Sequence, residues 1–158
     1  MRVSRVALAV ALVPVITACG SSSSSSGPSS TATGATSTTT ATSSNAVVQT
    51  ASVGVGGTPT VVLTTGAGLT LYYRTTDTAT SVTCTGTCAA NWPPLLARGT
   101  PTGSSAVTGT LTVFAGPLGS QVLYNGHPLY TWVKDTGPGM ATGQGIGGFK
   151  VATPSLSL

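Results

Sequence analysis

Charged side chains are scarce in this sequence, which has six basic residues, two acidic residues and one histidine among 158. The basic residues form no cluster, so the sequence predicts no nucleic-acid partner. Two carboxylates and one imidazole are also too few titratable groups for an enzyme of the usual acid–base type. Long helical patterns are missing, whereas Thr, Gly and Val are frequent. We therefore expect a non-enzymatic all-β protein that works outside the cytoplasm without a cofactor.

A hydrophobic run long enough to span a membrane is missing too. The apolar stretch from Val6 to Val15 has about half the length that a bilayer-spanning helix needs, and Pro14 interrupts it. Arg2 and Arg5 precede this stretch and small residues follow it. That order is typical of a secretory signal peptide, so we predict an exported protein.

The signal ends in Ile16-Thr17-Ala18-Cys19, which resembles the lipobox of bacterial lipoproteins. The resemblance implies that residues 1–18 are removed and that the Cys19 thiol is lipidated. Two or three acyl chains, palmitate among them, would hold the protein stably on the extracytoplasmic face of the cell membrane, with membrane lipid as its partner. The alternative is an ordinary secreted protein with a free thiol.

The segment that follows the lipobox is nearly all Ser, Thr, Gly and Ala. Such a sequence cannot bury enough apolar surface to offset its ordering entropy, so residues 19–45 are predicted to be a disordered tether. As a flexible coil the tether would reach roughly 30 Å. Residues 46–158 remain for a single folded domain.

This domain contains an internal repeat. Residues 68–77 align without gaps with residues 126–135, with Gly, Leu, Tyr and Asp at the same positions. The only two acidic residues of the chain, Asp77 and Asp135, are equivalent in this alignment. Each copy is predicted to be a β-hairpin followed by an irregular return segment. We therefore expect a small antiparallel domain built from two hairpin repeats, with at most one helical turn, around residues 88–92.

The second hairpin has the clearer turn. Asn125-Gly126 between two apolar runs is typical of a two-residue type I′ turn. In that register Tyr124 faces His127, and Leu123 faces Pro128. The missing N–H of Pro128 is not needed at such a position, which supports the register.

Residues 130–135, Tyr-Thr-Trp-Val-Lys-Asp, fit a Tyr-x-(Phe/Trp/Tyr)-x-x-Asp motif. The chain thereby resembles the bacterial lipoproteins that carry the "secreted repeat of unknown function". Residues 72–77 depart from the motif, because Arg74 stands at the aromatic position. That copy is degenerate, or the Arg74 stem takes the place of the ring.

Two further stretches carry the resemblance. Cys84-x3-Cys88 followed by Trp92-Pro-Pro is similar to one family motif, and residues 121–130 are similar to the family's second half. The resemblance extends over nearly all of residues 58–151. It implies no activity, because the family is named for having none assigned.

Cys84 and Cys88 are left as a pair once Cys19 is assigned to lipid. An even pair in an oxidising compartment predicts a disulfide. So small a loop would stabilise the fold by only about 2 kcal/mol, and would pin the turn before Trp92. The alternatives are a redox dithiol, which three intervening residues fit less well than two, and a metal site completed by His127 and the aspartates.

Seven motif residues are candidates for a structural or a binding role. The two aspartates are expected to cap turns by bonding their own backbone two residues on, rather than to form an acid–base pair. The histidine is expected to be half-exposed and to bond the backbone. The aromatic residues are expected in the core, with an aromatic binding surface as the alternative. The seven are Tyr72, Asp77, Trp92, His127, Tyr130, Trp132 and Asp135.

The preferred hypothesis is a lipid-anchored protein that displays a small β module to an envelope protein or a small ligand. The alternative is a redox or metal-handling lipoprotein that uses Cys84 and Cys88. A glycine pattern at residues 143, 145 and 148 formally matches a dinucleotide fingerprint. It lacks the strand–helix context, so we interpret it as a glycine-rich loop.

Overall fold

A computed structural model of the protein describes residues 47–158. The predicted signal peptide, Cys19 and the predicted tether lie outside these residues. The described part consists of eight strands in two sheets, one short helix and one 3-10 turn, which confirms the all-β fold class. None of its helices has the length and hydropathy of a bilayer-spanning segment. The elements are β1 (Val47–Val55), β2 (Thr58–Thr65), β3 (Tyr72–Arg74), α1 (Thr87–Asn91), β4 (Thr102–Gly103), β5 (Leu111–Gly116), β6 (Gly119–Tyr124), β7 (His127–Tyr130), the 3-10 turn (Ile146–Gly148) and β8 (Phe149–Val151).

The smaller sheet has the strand order β2-β1-β4. Its β1–β2 hairpin turns at Gly56-Gly57, and both glycines have positive φ, 58° and 86°. That conformation is the one a two-residue type I′ turn requires, and glycine adopts it without strain. Strands β1 and β4 add one parallel pair, over two residues, to the antiparallel domain predicted from the sequence.

The larger sheet has the order β5-β6-β7-β3-β8, and all of its neighbours are antiparallel. Its β6–β7 hairpin pairs Leu123 with Pro128 and Tyr124 with His127, which confirms the predicted register. Asn125 and Gly126 at the turn have φ values of 46° and 81°, as a type I′ turn demands.

The two repeats meet at the centre of this sheet. Strand β3 of the first repeat pairs with β7 of the second, and Tyr72 lies opposite Tyr130. These tyrosines are equivalent in the sequence alignment. An antiparallel pair of equivalent residues places a local two-fold relation between the repeats at this point.

The return segment of the first repeat completes the hairpin of the second. The Leu95 N–H donates to the Leu129 carbonyl at 2.9 Å, and the Leu95 carbonyl accepts from the Val122 N–H at 2.8 Å. Leu95 therefore bridges the two strands of a hairpin to which it does not belong.

The same arrangement recurs in the opposite direction. The Ala152 N–H donates to the Leu71 carbonyl at 2.8 Å, and the Ala152 carbonyl accepts from the Leu63 N–H at 2.7 Å. Each repeat thus supplies the segment that closes the other. Because these backbone bonds run between repeats, each repeat depends on the other for part of its buried backbone hydrogen bonding.

Alternate residues of β3 and β7 point into two core clusters on opposite faces of the sheet, as the two-residue period of a strand requires. The first cluster contains Val53, Val62, Tyr72, Cys84, Trp92, Tyr130, Trp132, Phe149 and Val151. The second contains Val48, Leu63, Leu71, Ala97, Val122, Tyr124, Leu129 and Ala152.

The segment exchange predicts that neither half of the domain folds alone. We expect residues 46–99 and residues 100–158, produced separately, to lack a cooperative unfolding transition, because each half loses the strand pairing that the other supplies. Mixing the halves should restore the β signal in circular dichroism, with the intact domain as the control. Cooperative unfolding of either half by itself would contradict the exchange.

Candidate functional site

Both acidic side chains of the chain lie in the interior, each against a tyrosine of the other repeat. The Tyr72 hydroxyl donates to Asp135 Oδ2 at 2.5 Å, and the Tyr130 hydroxyl donates to Asp77 Oδ2 at 2.6 Å. Asp77 is 2% exposed and Asp135 is 4% exposed. The four residues form two equivalent pairs, and each pair joins one repeat to the other.

The second oxygen of each carboxylate binds a threonine in the loop that follows. Asp77 Oδ1 accepts from the backbone N–H and the hydroxyl of Thr83, at 3.1 and 2.5 Å. Asp135 Oδ1 accepts from the same two groups of Thr142, at 3.0 and 2.7 Å. The aspartates therefore anchor loops six and seven residues downstream, rather than capping their own backbone two residues on as the sequence analysis predicts.

The hydroxyls of these two tyrosines carry their protons at neutral pH and can donate hydrogen bonds to the carboxylates. Burial raises the pKa of Tyr72, and the hydrogen bond to the carboxylate of Asp135 raises this pKa further. Burial likewise raises the pKa of Tyr130, and the hydrogen bond to Asp77 adds to the effect. Both tyrosines therefore remain protonated and hold their carboxylates.

Three aromatic rings stack beside these pairs. The rings of Trp92 and Phe149 are nearly parallel, with centroids 3.8 Å apart. Trp132 stacks on Trp92 at 4.2 Å. Tyr72 meets Trp92 edge-on at 5.2 Å and Tyr130 meets Phe149 edge-on at 5.3 Å, so the local two-fold relates these contacts too.

Arg74 extends the stack at the Phe149 end. Its guanidinium carbon lies 5.7 Å from the centroid of the Phe149 ring, which is the distance of a cation–π contact. Arg74 is the repeat equivalent of Trp132, which stacks on Trp92. The sequence left two explanations for Arg74 at the aromatic position: a degenerate copy, or an arginine that takes the place of the ring. The structure favours the second, but the guanidinium, rather than the aliphatic stem, lies over the neighbouring ring.

Cys84 and Cys88 form a disulfide, which confirms the predicted pairing. Cys84 is fully buried and belongs to the first core cluster, whereas Cys88 is only partly buried. Cys88 lies in α1, which ends at Asn91 directly before Trp92. The bridge therefore ties the start of the return segment to the core, as expected for a bond that pins the turn before Trp92.

An open cleft of about 420 Å³ lies along the edge of the aromatic stack. Its volume is in the range typical of small-molecule sites. The aromatic lining is mostly packed against itself, since Trp92 is 4% exposed and Trp132 is 8% exposed. The lining residues are Arg74, Thr87, Cys88, Asn91, Trp92, Trp132, Ile146, Gly147 and Phe149.

His127 lies apart from this cleft. Its Nε2 is 3.1 Å from the Ser157 carbonyl, and its ring tilts against Tyr73 at 5.1 Å. Tyr73 packs against the second core cluster, whereas Cys84 lies in the first. Residues 47–158 contain no group of three or more His, Cys, Asp and Glu side chains placed to hold a metal ion. The structure therefore does not bring His127 together with the cysteines.

Several residues of the site were not predicted from the sequence. Phe149 occupies the place of Trp92 in the other repeat, but the two return segments share no sequence pattern that would reveal it. Thr83 and Thr142 lie at unequal distances from their aspartates, so the gapless alignment does not pair them. Gly143 packs directly against Trp92, where an added Cβ would come within 2.6 Å of the indole.

Comparison with known proteins identifies both repeats. Residues 61–96 and residues 112–151 each match one family model, described as a secreted repeat of unknown function. Each matched stretch runs from a hairpin to the return segment that crosses to the other repeat. No curated protein and no solved structure matches the chain significantly.

The raised tyrosine pKa values predict a specific loss of stability in alkali. Above pH 10 the unfolded chain loses the protons of Tyr72 and Tyr130, while the folded chain keeps them. The contribution of these two tyrosines to the free energy of unfolding is therefore constant below pH 10. Above pH 10 it should fall by about 1.4 kcal/mol per pH unit for each tyrosine. Urea unfolding between pH 8 and 11 measures this slope.

In the Tyr72→Phe/Tyr130→Phe double variant, the free energy of unfolding should no longer show the decrease above pH 10 that these two tyrosines cause. It should also be less stable at pH 7, by about 2 kcal/mol or more, because each buried carboxylate loses a donor. Tyr73→Phe is the matched control, since the Tyr73 ring lies beside His127. A double variant with the wild-type slope would show that these tyrosines titrate normally.

Proposed function

We propose that this chain, which belongs to the family of secreted repeats of unknown function, is a lipid-anchored extracytoplasmic protein that displays its two-repeat domain as a rigid, non-enzymatic binding module. The observation that carries the proposal is that the aspartates and cysteines form structural bonds inside the domain. The open cleft is lined by aromatic residues and one arginine, and it contains no arrangement of acids, bases or nucleophiles.

Each candidate for chemistry has a structural partner. Asp77 and Asp135 are buried and bonded to tyrosines and threonines. Cys84 and Cys88 are joined to each other. His127 Nε2 is bonded to the Ser157 carbonyl, whereas its Nδ1 is buried without a hydrogen-bond partner, and His127 is not among the residues that line the cleft. An acid–base mechanism needs at least one such group free beside a pocket, so this arrangement supports binding over catalysis.

The anchoring part of the proposal rests on the N-terminal sequence. The charged, apolar and small residues before Cys19 have the order of an exported lipoprotein signal. A disulfide in the domain is consistent with this route, because such bonds persist in oxidising compartments outside the cytoplasm. Lipid on Cys19 would place the domain at the membrane surface, at the end of the Ser/Thr-rich segment.

A redox role for the disulfide is the second candidate, favoured by one observation: Cys88 lines the cleft. An external thiolate would attack Cys88 Sγ and form a mixed disulfide with it, the bond between Cys88 Sγ and Cys84 Sγ would break, and the electron pair would leave on Cys84 Sγ. Cys84 is fully buried among apolar and aromatic side chains, where a thiolate is disfavoured. This argues for a structural bond.

Reduction separates the two candidates. A structural bridge should resist glutathione buffers, whereas a working redox pair is poised near them. We expect mass spectrometry of the domain in such a buffer to show the oxidised form, two hydrogens lighter than the reduced form. Cys84→Ser/Cys88→Ser should lower the free energy of unfolding by about 2 kcal/mol and keep the β signal. Ready opening by glutathione would favour the redox candidate.

Replacement of the lipobox cysteine tests the anchor. Cys19→Ala should release the protein from the membrane fraction, because no acyl chain can be attached. Ser21→Ala, two residues along, is the matched control and should remain with membranes as wild type does. Fractionation of cells followed by immunoblotting measures the distribution. If Cys19→Ala stays fully with the membranes, lipid at Cys19 is not the anchor.

A further inference from the structure

We propose that the cleft beside the aromatic stack binds a small organic carboxylate with an apolar body, and that Arg74 is its anion-binding residue. The inference deepens the proposed binding function and rests on it. It starts from the one position at which the first repeat departs from the family motif, since Arg74 stands where the second repeat has Trp132.

The charge of the cleft favours an anion. Arg74 is the only ionisable side chain among the residues that line it. The two acidic residues of the chain are buried and bonded to tyrosines, and Asp77 meets Arg74 only through the Thr83 hydroxyl, which accepts from Arg74 Nη1 and donates to Asp77 Oδ1. Neither carboxylate therefore forms a direct ion pair with the guanidinium, and a ligand carboxylate can form one. The edges of the lining rings add partial positive charge, because an aromatic quadrupole is positive at its edge.

The guanidinium itself is only partly committed. Arg74 Nη1 donates to the Thr83 hydroxyl at 2.8 Å, and the group lies over the Phe149 ring. Its Nε is buried without a hydrogen-bond acceptor. The direct contacts of the guanidinium are a hydroxyl and a ring face, so Asp77 compensates its positive charge only across the Thr83 hydroxyl, while the contact with Phe149 holds the group at the cleft wall. An anion in the cleft would pair with the guanidinium directly and accept from the outer N–H groups.

A single cation favours a carboxylate over a phosphate. Protein sites for phosphate gather several donors, such as paired basic side chains or a nest of backbone N–H groups. The cleft lining offers one guanidinium, and its other polar side chains are Thr87 and Asn91. A second cation, Lys134, lies at the opposite end of the stack, with its Nζ 5.8 Å from the centroid of the Trp132 ring, and does not line the cleft. One guanidinium matches one carboxylate in charge and in planar geometry.

The residues that line the cleft determine which kind of body the carboxylate ligand can have. Ile146 is 43% exposed at the cleft and Cys88 is partly buried there, whereas Trp92 and Trp132 add little apolar surface, since they are 4% and 8% exposed. Few hydroxyl partners are present for a sugar. An aromatic or aliphatic body that removes this surface from water would gain free energy on binding. Phenylacetate has both required parts, a carboxylate and an apolar ring, and serves as the probe.

The two tryptophans of the chain both line the cleft, so their fluorescence reports occupancy directly. We expect phenylacetate to produce a saturable fluorescence change in the intact domain, confirmed by titration calorimetry. Phenylacetamide, which keeps the ring and lacks the charge, should bind at least tenfold more weakly. Inorganic phosphate should also bind at least tenfold more weakly.

Two variants test the role of Arg74. Arg74→Trp restores the motif of the second repeat, so it should keep the stack and the fold while it weakens phenylacetate binding at least tenfold. Asn91→Asp places a carboxylate at the exposed rim, loses the Nδ2 hydrogen bond to the Thr87 carbonyl within α1, and should weaken binding several-fold. Arg98→Gln removes an exposed charge outside the cleft and should bind as wild type does.

Several results would overturn the proposal. These are no binding of phenylacetate at any soluble concentration, equal binding of the amide, phosphate binding as tight as that of phenylacetate, and wild-type affinity in both cleft variants. If Arg74→Trp fails to fold, as judged by circular dichroism and the melting temperature, the affinity of Asn91→Asp for phenylacetate decides whether the proposal stands. If phenylacetate does not bind, the result has no bearing on the membrane fractionation of Cys19→Ala. The anchoring proposal is therefore tested separately from the cleft proposal.

Discussion

The hydrogen bond between a tyrosine of one repeat and an aspartate of the other, made twice, is the constraint on which this domain depends. A carboxylate taken out of water costs several kcal/mol unless donors surround it. Asp77 and Asp135 are both buried, so each needs its tyrosine and its threonine in place. Tyr72 can reach Asp135 only if β3 and β7 pair in one register. The pairs therefore couple strand register, loop conformation and association of the repeats.

The segment exchange and the aromatic stack follow from the same two-fold relation. Leu95 and Ala152 cross between the repeats in equivalent ways and carry Trp92 and Phe149 into face-to-face contact. The symmetry is broken at Arg74, where a cation replaces a ring. A perfectly repeated sequence would continue the stack with aromatic surface at both ends. The departure instead leaves a charge at the wall of a cleft, which is the feature on which a binding function can rest.

Much of the local structure could be predicted because its causes are local. The backbone conformation of Asn125-Gly126 determines a hairpin register within a few residues, and the pair Cys84 and Cys88 is close enough in sequence to bridge without long-range information. Strands β1 and β5 were not anticipated, although Gly56-Gly57 between two apolar runs is a usable turn signal. The hydrogen-bond partners of the aspartates could not be predicted, because loops of unequal length carry them.

By itself, the sequence determined that the domain is a β structure of two repeats, that its two acidic residues are equivalent, and that one motif position holds Arg74 instead of a ring. Periodicity, turn chemistry and internal similarity are properties of neighbouring residues and can be read from the chain. Only the tertiary structure decided that each repeat is completed by the other, that the tyrosines and aspartates pair between repeats, and that Arg74 stands over Phe149 beside a cleft. These contacts join residues far apart in the chain, and the packing of the whole core, rather than any local pattern, selects them.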